Sequence, residues 1–99
     1  MKKYKLEYLL VAEKDIQGIA AYIATELNAP IAAVKLVREI RRKIKNLCNM
    51  PYIYNEYRNG PQNVNVYRAM PVKNYIVFYA VREEKKTVTI HRVCYDKIF

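Results

Sequence analysis

The stretch Val66-Tyr-Arg-Ala-Met-Pro-Val-Lys-Asn-Tyr-Ile-Val-Phe-Tyr-Ala-Val-Arg82, followed by Lys86-Thr-Val-Thr-Ile-His-Arg-Val-Cys-Tyr95, decides the fold. It reads as three short strands joined by two tight turns, Pro71 to Asn74 and Arg82 to Lys86. Tyr75 to Val81 is apolar or aromatic at every position, which predicts a central strand covered on both faces. Basic residues interrupt the apolar ones in the flanking strands, so the sheet is expected to show a cationic surface on one side.

Upstream the period changes from two to that of a helix. Ala33, Val37, Ile40, Ile44 and Leu47 form an apolar seam over a helix from about Ile31 to Leu47, and Lys35, Arg38, Arg41, Arg42, Lys43 and Lys45 cover the remainder. Pro30 suits the first turn of that helix, where its missing N–H is harmless. Before it, Ile16, Ile19, Ala20, Ile23 and Leu27 mark one face of a first helix beginning near Ala12. The short Asn28-Ala29 connection predicts an antiparallel helical hairpin. Gly18 lies inside the first helix at a cost of about 1 kcal/mol relative to Ala, and close approach of a neighbouring helix is the expected compensation. Tyr4 to Val11 reads as an opening strand. Met50 to Pro61 reads as one irregular segment studded with Tyr52, Tyr54 and Tyr57; beside Arg58 these rings are suited either to stacking on nucleotide bases or, the plainer reading, to pinning the loop onto the helix ends.

The predicted fold class is therefore α+β. It has an N-terminal strand and an antiparallel two-helix hairpin packed on one face of a four-stranded, mainly antiparallel sheet, in a single domain over residues 1–99. The opposite sheet face needs a cover that the rest of the chain is too short to supply, and a partner protein is the natural candidate. Eighteen Lys and Arg against nine Asp and Glu give a net charge of +9, which favours RNA, DNA, the ribosome or an acidic protein as partner. Cys48 and Cys94 do not form a disulfide framework, and one His with two Cys falls short of a zinc set. No cofactor and no metal are implied. Lys5 and Glu7 interrupt the apolar run a signal peptide needs, and no stretch has the length of a membrane span; a cytoplasmic protein without a membrane partner is expected.

Several residues in order carry a resemblance: Asp15, Ile16, Gly18, Ile19, Tyr22 and Ile23; Ala32 and Ala33 through Ile40, Ile44 and Leu47 to Pro51; Tyr67 and Arg68; Pro71 to Tyr79; Thr87 to Ile90 with Arg92 and Val93. The set resembles the RelE/ParE superfamily of bacterial toxins over essentially the whole chain. The resemblance implies the toxin of a type II toxin–antitoxin pair, held inactive by a cognate antitoxin whose C-terminal segment wraps it. Operator DNA would be reached only indirectly, through the antitoxin. The family divides by target: RelE-like members cut mRNA in the ribosome, and ParE-like members poison DNA gyrase without hydrolytic chemistry of their own.

Cleavage through a 2′-hydroxyl needs a base, an acid and cations around the phosphorus. In the nuclease reading the resemblance makes Arg68, Lys73, His91, Arg92 and Tyr95 the catalytic candidates. For contact with antitoxin or target it implies Arg58, Arg68, Lys73, Tyr75, Arg92 and Tyr95. If Val88 and Ile90 face the helices, strict alternation puts Thr87, Thr89, His91, Val93 and Tyr95 together on the open face. The plainer reading of Arg68 and Arg92 is antitoxin contact or protection of a sheet edge. Three departures weigh against the nuclease branch. Ile76 stands where that branch has Arg, Asp96 adds negative charge to the tail, and a C-terminal helix bearing a catalytic Tyr would lie beyond Phe99. The resemblance therefore leans to ParE-like gyrase inhibition, with RelE-like mRNA cleavage as the alternative.

Overall fold

The computed structural model describes residues 3–57 and 66–96. Arg58, a residue expected to touch a partner, lies outside them. β1 (Lys5–Tyr8) is shorter than the expected opening strand, because α1 (Leu10–Ala21) begins ahead of Ala12. Leu9 makes the change of direction: its N–H donates to the Ile90 carbonyl at 3.0 Å, and its own carbonyl accepts from Ala12 and Glu13. One extended residue thus ends the strand ladder and starts the helix.

α1 runs into a π-helical turn, Tyr22–Glu26, where the Leu27 N–H reaches back five residues to the Tyr22 carbonyl at 3.2 Å. Asn28, at φ 50°, then takes the left-handed conformation in which Asn costs less than most side chains, and the Ala29 N–H closes on the Ile23 carbonyl at 3.0 Å. Pro30 opens α2 (Pro30–Asn46) as its first residue. The hairpin predicted from the short connection is present. Its two helices are joined across by Arg41, whose guanidinium pairs with Glu13 at 2.8 Å and lies 5.1 Å from the Tyr8 ring.

The remaining strands are β2 (Glu56–Tyr57), β3 (Tyr67–Val72), β4 (Tyr75–Arg82) and β5 (Thr87–Tyr95), in the spatial order β1-β5-β4-β3-β2. β1 runs parallel to β5 and every other pair is antiparallel. The sheet therefore has five strands where four were expected. The additional one, β2, sits inside the segment read as irregular. Two residues are too few to show a period, and β2 is legible only through its partner: Glu56 stands opposite Arg68 and pairs with it at 3.6 Å. β4 is the central strand, as its unbroken apolar run predicts.

The core forms between the helical seam and one sheet face. Ala12, Ile16, Ile40, Ile44 and Leu47 meet Met70, Val72, Val77, Tyr79, Val88, Ile90 and Val93. Each large side chain removed from water there contributes about 1.5–3 kcal/mol before entropy is counted. Tyr79 is fully buried, and its hydroxyl donates to the Pro51 carbonyl at 2.8 Å, fastening the chain after α2 to the central strand. Burial, only partly offset by the nearby Arg68 charge, pushes its pKa up to about 12. No helix among the described residues is long and apolar enough to cross a membrane.

Gly18 departs from expectation. A Cβ built there meets nothing within 4 Å, so no neighbouring helix approaches it. The position bears the helix cost of glycine without a packing return. Gly18→Ala should raise stability by about 0.5–1 kcal/mol, read as a higher urea midpoint at unchanged slope; an unchanged or lower midpoint would contradict the open space found around Gly18.

Candidate functional site

The site is organised by a break in register on β5. Val77 stands opposite Val93 and Phe78 opposite Arg92, but Tyr79 stands opposite Ile90, which leaves His91 as the extra residue of a bulge. Before the bulge Thr87, Thr89 and His91 alternate with the buried Val88 and Ile90. After it Val93 is buried in the core, and Tyr95 stands opposite Tyr75 on the helix side. Strict alternation is thereby corrected: His91 and Tyr95 lie on opposite faces of the sheet, and Val93 is a core residue.

β1 pairs only with Thr87 to Ile90, so the second half of β5 would show a bare edge. Asp15 of α1 covers it. Its carboxylate accepts the Val93 N–H at 2.9 Å and the Arg92 guanidinium at 2.8 and 3.0 Å. Burial works to raise the Asp15 pKa, and the hydrogen bonds from Arg92 and Val93 outweigh it, holding the carboxyl below its ordinary range.

The residues singled out from the sequence are dispersed. Arg68 is on the helix-facing side of β3, where it donates to the Tyr54 carbonyl at 2.6 Å, pairs with Glu56 and lies 4.9 Å from the Tyr52 ring. It ties down the segment after α2. Arg92 is engaged by Asp15. Lys73 takes φ 55° in the two-residue turn between Val72 and Tyr75, a conformation that costs a lysine about 1 kcal/mol or more. His91 packs edge-on against Tyr67 with ring centroids 4.8 Å apart. Burial and the Arg82 charge lower its pKa, against a smaller opposing pull from Glu7, so the imidazole is neutral at pH 7. Tyr75 and Tyr95 meet edge-on at 5.5 Å; burial raises the Tyr75 pKa, and Tyr95 remains 60% exposed. These positions do not assemble into one acid–base centre.

A cavity of about 1220 Å³ opens instead between the helical hairpin and the β3–β4 turn. Its walls include Ile19, Tyr22, Ile23, Leu36, Tyr75 and Tyr95, and Lys14, Lys35 and Lys73 stand around it. Tyr22 and Leu27 are more than half exposed there, at 55% and 56%. Tyr22 and Ile23, the first residues of the π-helical turn, line this groove and lie outside the buried core cluster. Sequence reasoning finds Lys73, Tyr75 and Tyr95, places Ile19 and Ile23 on one helical face without a binding role, and gives Tyr22 and Leu36 none; Ile19 and Leu36 also pack against the core. The available signal is an apolar stripe on the first helix too wide for one buried face.

The sheet face away from the helices is not bare. Tyr57 packs edge-on with Phe78 at 5.0 Å, Tyr67 with His91, and Thr89 donates to the Glu7 carboxylate at 3.0 Å. Lys5, Arg82 and Lys85 line a depression on that face that runs along β5 through Thr87 and Thr89 to His91.

The family model for the ParE toxin of the type II toxin–antitoxin system parDE matches residues 6–97. No curated protein sequence matches the chain. Among solved structures, the chromosomal ParDE toxin–antitoxin system from P. aeruginosa is similar with a TM-score of 0.74 at 20% identity, covering 94% of this chain and 96% of that one. The RelE–RelB complex from the archaeon Pyrococcus horikoshii is similar with a TM-score of 0.66 at 14% identity, covering 98% and 99%. The isolated E. coli RelE toxin gives 0.66 at 17% identity, covering 97% and 87%. The chain belongs to the ParE toxin family, within the RelE/ParE superfamily of toxin–antitoxin proteins.

Removing the Asp15 carboxylate strands the Val93 N–H at a part-buried edge and frees Arg92. Asp15→Ala should cost about 1.5–3 kcal/mol. Because the folded-state pKa is depressed, the native carboxylate contributes its full stability above its unfolded value of about 3.9 and loses it as pH falls through the lowered folded one. The stability gap between native chain and variant should therefore be constant from pH 7 to about 5 and shrink below about 4, as measured by denaturant titrations; a gap independent of pH would remove Asp15 from the acid response.

Proposed function

We propose that this toxin arrests growth by binding DNA gyrase, and that its cognate antitoxin neutralises it by laying an amphipathic segment in the groove between the helical hairpin and the β3–β4 turn. The family model over residues 6–97 carries the gyrase reading. It is supported by the dispersal of the nuclease candidates: Arg68 holds a loop, Arg92 holds Asp15, and the bulge separates His91 from Tyr95. A binding inhibitor needs none of these groups to meet.

The groove supports the antitoxin part. Its floor offers exposed apolar and aromatic side chains, and its rim offers lysines. That combination fits a helix or strand with an apolar face and flanking carboxylates. An antitoxin of that character gains its affinity from the burial and its association rate from the charge. Similar proteins solved as RelE–RelB and toxin–antitoxin complexes support a cognate protein partner for this chain.

Expression without antitoxin, with DNA supercoiling, DNA-damage induction and mRNA integrity followed together, tests the target. The expected result is a supercoiling defect with damage induction and intact messages. Cuts at codon-defined positions within translated messages would replace the gyrase reading by ribosome-dependent mRNA cleavage. Tyr95→Phe should leave toxicity unchanged, since no proton transfer by its hydroxyl is required.

The groove has its own test. Ile23→Glu places a carboxylate on the apolar wall, at a half-buried position away from the core cluster. Antitoxin affinity should fall by about a hundredfold, the cost of an unpaired charge at an apolar contact. Toxicity of the free protein should persist. Undiminished antitoxin binding would move the antitoxin's seat elsewhere.

A further inference from the structure

The chain leaving α2 is firmly fastened and still turns two large aliphatic side chains to water. The Ile53 N–H closes on the Met50 carbonyl at 3.3 Å, which makes Met50 and Ile53 the two ends of one turn. The Tyr79 hydroxyl holds the Pro51 carbonyl, and Arg68 holds the Tyr54 carbonyl. Tyr52 has Arg68 over its ring and Glu83 at its hydroxyl. Pro51 is buried, yet Met50 and Ile53 stay 56% and 54% exposed. Both line a hole of about 170 Å³, whose walls continue through the buried Leu47 and Met70 to Tyr54, Lys43 and Asn46. A fixed backbone that presents exposed aliphatic groups around an apolar concavity has the make-up of a pre-formed anchor site.

Size and charge define what enters. An apolar cavity of about 150 Å³ takes a benzene ring, so the hole accommodates one phenyl or leucyl side chain. Among the described residues no carboxylate lines it, and Lys43 offers an ammonium and Asn46 an amide. Glu39, one turn back on the same face of α2, is taken by Arg42 at 2.8 Å. The fitting group is therefore an apolar side chain with a carboxylate beside it. Position then selects the partner. Glu39 lines the groove and Lys43 lines the hole, about 6 Å apart along the axis of α2. Any large protein seated at the hole collides with an antitoxin lying in the groove. The depression holding Lys5 and Lys85 is on the other face of the sheet, away from a groove occupant.

We propose that this hole is the seat of the toxin's target: a phenyl or leucyl side chain of DNA gyrase enters it with an adjacent carboxylate on Lys43, and the antitoxin neutralises by filling the neighbouring groove. The identity of the target rests on the gyrase reading above. The seat itself does not, because growth arrest reads it out whatever the target is. Two adjoining surfaces with separate contacts make target and antitoxin mutually exclusive. They also make the two affinities separable by substitution.

Met50→Asp combined with Ile53→Asp alters exposed side chains only. The toxin concentration that half-inhibits supercoiling by purified gyrase should rise by about a hundredfold, the scale of a lost central anchor. Growth arrest should be relieved, while antitoxin affinity stays within about threefold. Leu10→Asp, at an exposed aliphatic position that opens α1, should change none of these readouts. Lys43→Ala should weaken inhibition by about fivefold and lower its salt dependence. In the unaltered protein, phenylacetate serves as the probe: it should move the Met50 and Met70 methyl NMR signals together and saturably, and bind more tightly than the cationic phenethylamine. If the unaltered toxin arrests growth without inhibiting gyrase, the gyrase reading alone falls, and the effect of the double variant on arrest still decides the seat. Undiminished arrest by the double variant, an equal loss of its antitoxin affinity, an equal effect of Leu10→Asp, or a Met70 methyl unmoved by phenylacetate would each overturn the proposal. So would a toxin dimer that the double variant dissolves, which would assign the hole to a second copy.

Discussion

The architecture depends on one irregularity, the extra residue in β5 at His91, and on the carboxylate that secures the strand beyond it. A strand without the bulge would keep Thr87, Thr89, His91, Val93 and Tyr95 on one face, and either Val88 and Ile90 or Val93 would leave the core. The bulge allows the core to take all three. The ladder with β1 stops just before it, where Leu9 turns the chain into α1, and Asp15 replaces the missing strand by accepting the Val93 N–H. α1 is thereby fixed along the edge of β5 by a charged hydrogen bond as well as by packing, and the groove has a defined wall.

The second fixed region is the chain leaving α2. Tyr79 holds the Pro51 carbonyl from the buried side, and Arg68 holds the Tyr54 carbonyl nearby. On the surface, Glu83 accepts the Lys86 ammonium and the hydroxyls of Tyr52 and Tyr4, which holds its pKa at about 2. These bonds join the N-terminal strand, the post-helical segment and the β4–β5 turn. The Glu83 cluster is at the surface, with its ion-paired side chains more than half exposed, where ion pairs add little free energy, so its effect is to choose one arrangement among similar ones. The buried Tyr79 bond is the stabilising member.

Much of the fold is legible in the sequence because its signals are long. The seam of α2, the break at Asn28 and Pro30, and the continuous apolar run of β4 each span enough residues to show a period or its absence. The features that escape are short. β2 has two residues, β1 loses its second half to a helix start carried by Leu9, and the π-helical turn inserts one residue into a helix without disturbing its composition. The candidate site suffers most from the bulge. Parity arguments propagate along a strand, so one extra residue at His91 reassigns Val93 and Tyr95 to the other face. Arg68 looks free for a phosphate because its partners, a carbonyl at Tyr54 and a carboxylate at Glu56, belong to a segment whose sequence shows no period of its own. Tyr75 and Lys73 do line the groove, but its apolar wall comes from the hairpin.

The distribution of charge explains why a protein with so large a net charge presents two separate cationic regions. Of its nine acidic residues, six form ion pairs among the described residues: Glu13 with Arg41, Asp15 with Arg92, Glu39 with Arg42, Glu56 with Arg68, Glu83 with Lys86 and Glu84 with Arg82. Every arginine in that set except Arg82 is directed toward its partner at a contact shorter than the Arg82–Glu84 pair, so arginine largely serves the fold. Lysines supply much of the excess, among them those at the groove mouth (Lys14, Lys35, Lys73) and those in the depression that includes Thr87 and Thr89 (Lys5, Lys85). Lysine is the more strongly hydrated and less directional cation. It suits long-range attraction of an anionic partner, while the adjoining side chains differ: aliphatic and tyrosine walls in the groove, packed rings on the sheet. The two surfaces share their attraction for negative charge and differ in what they can bury, and burial, more than charge, decides which partner stays.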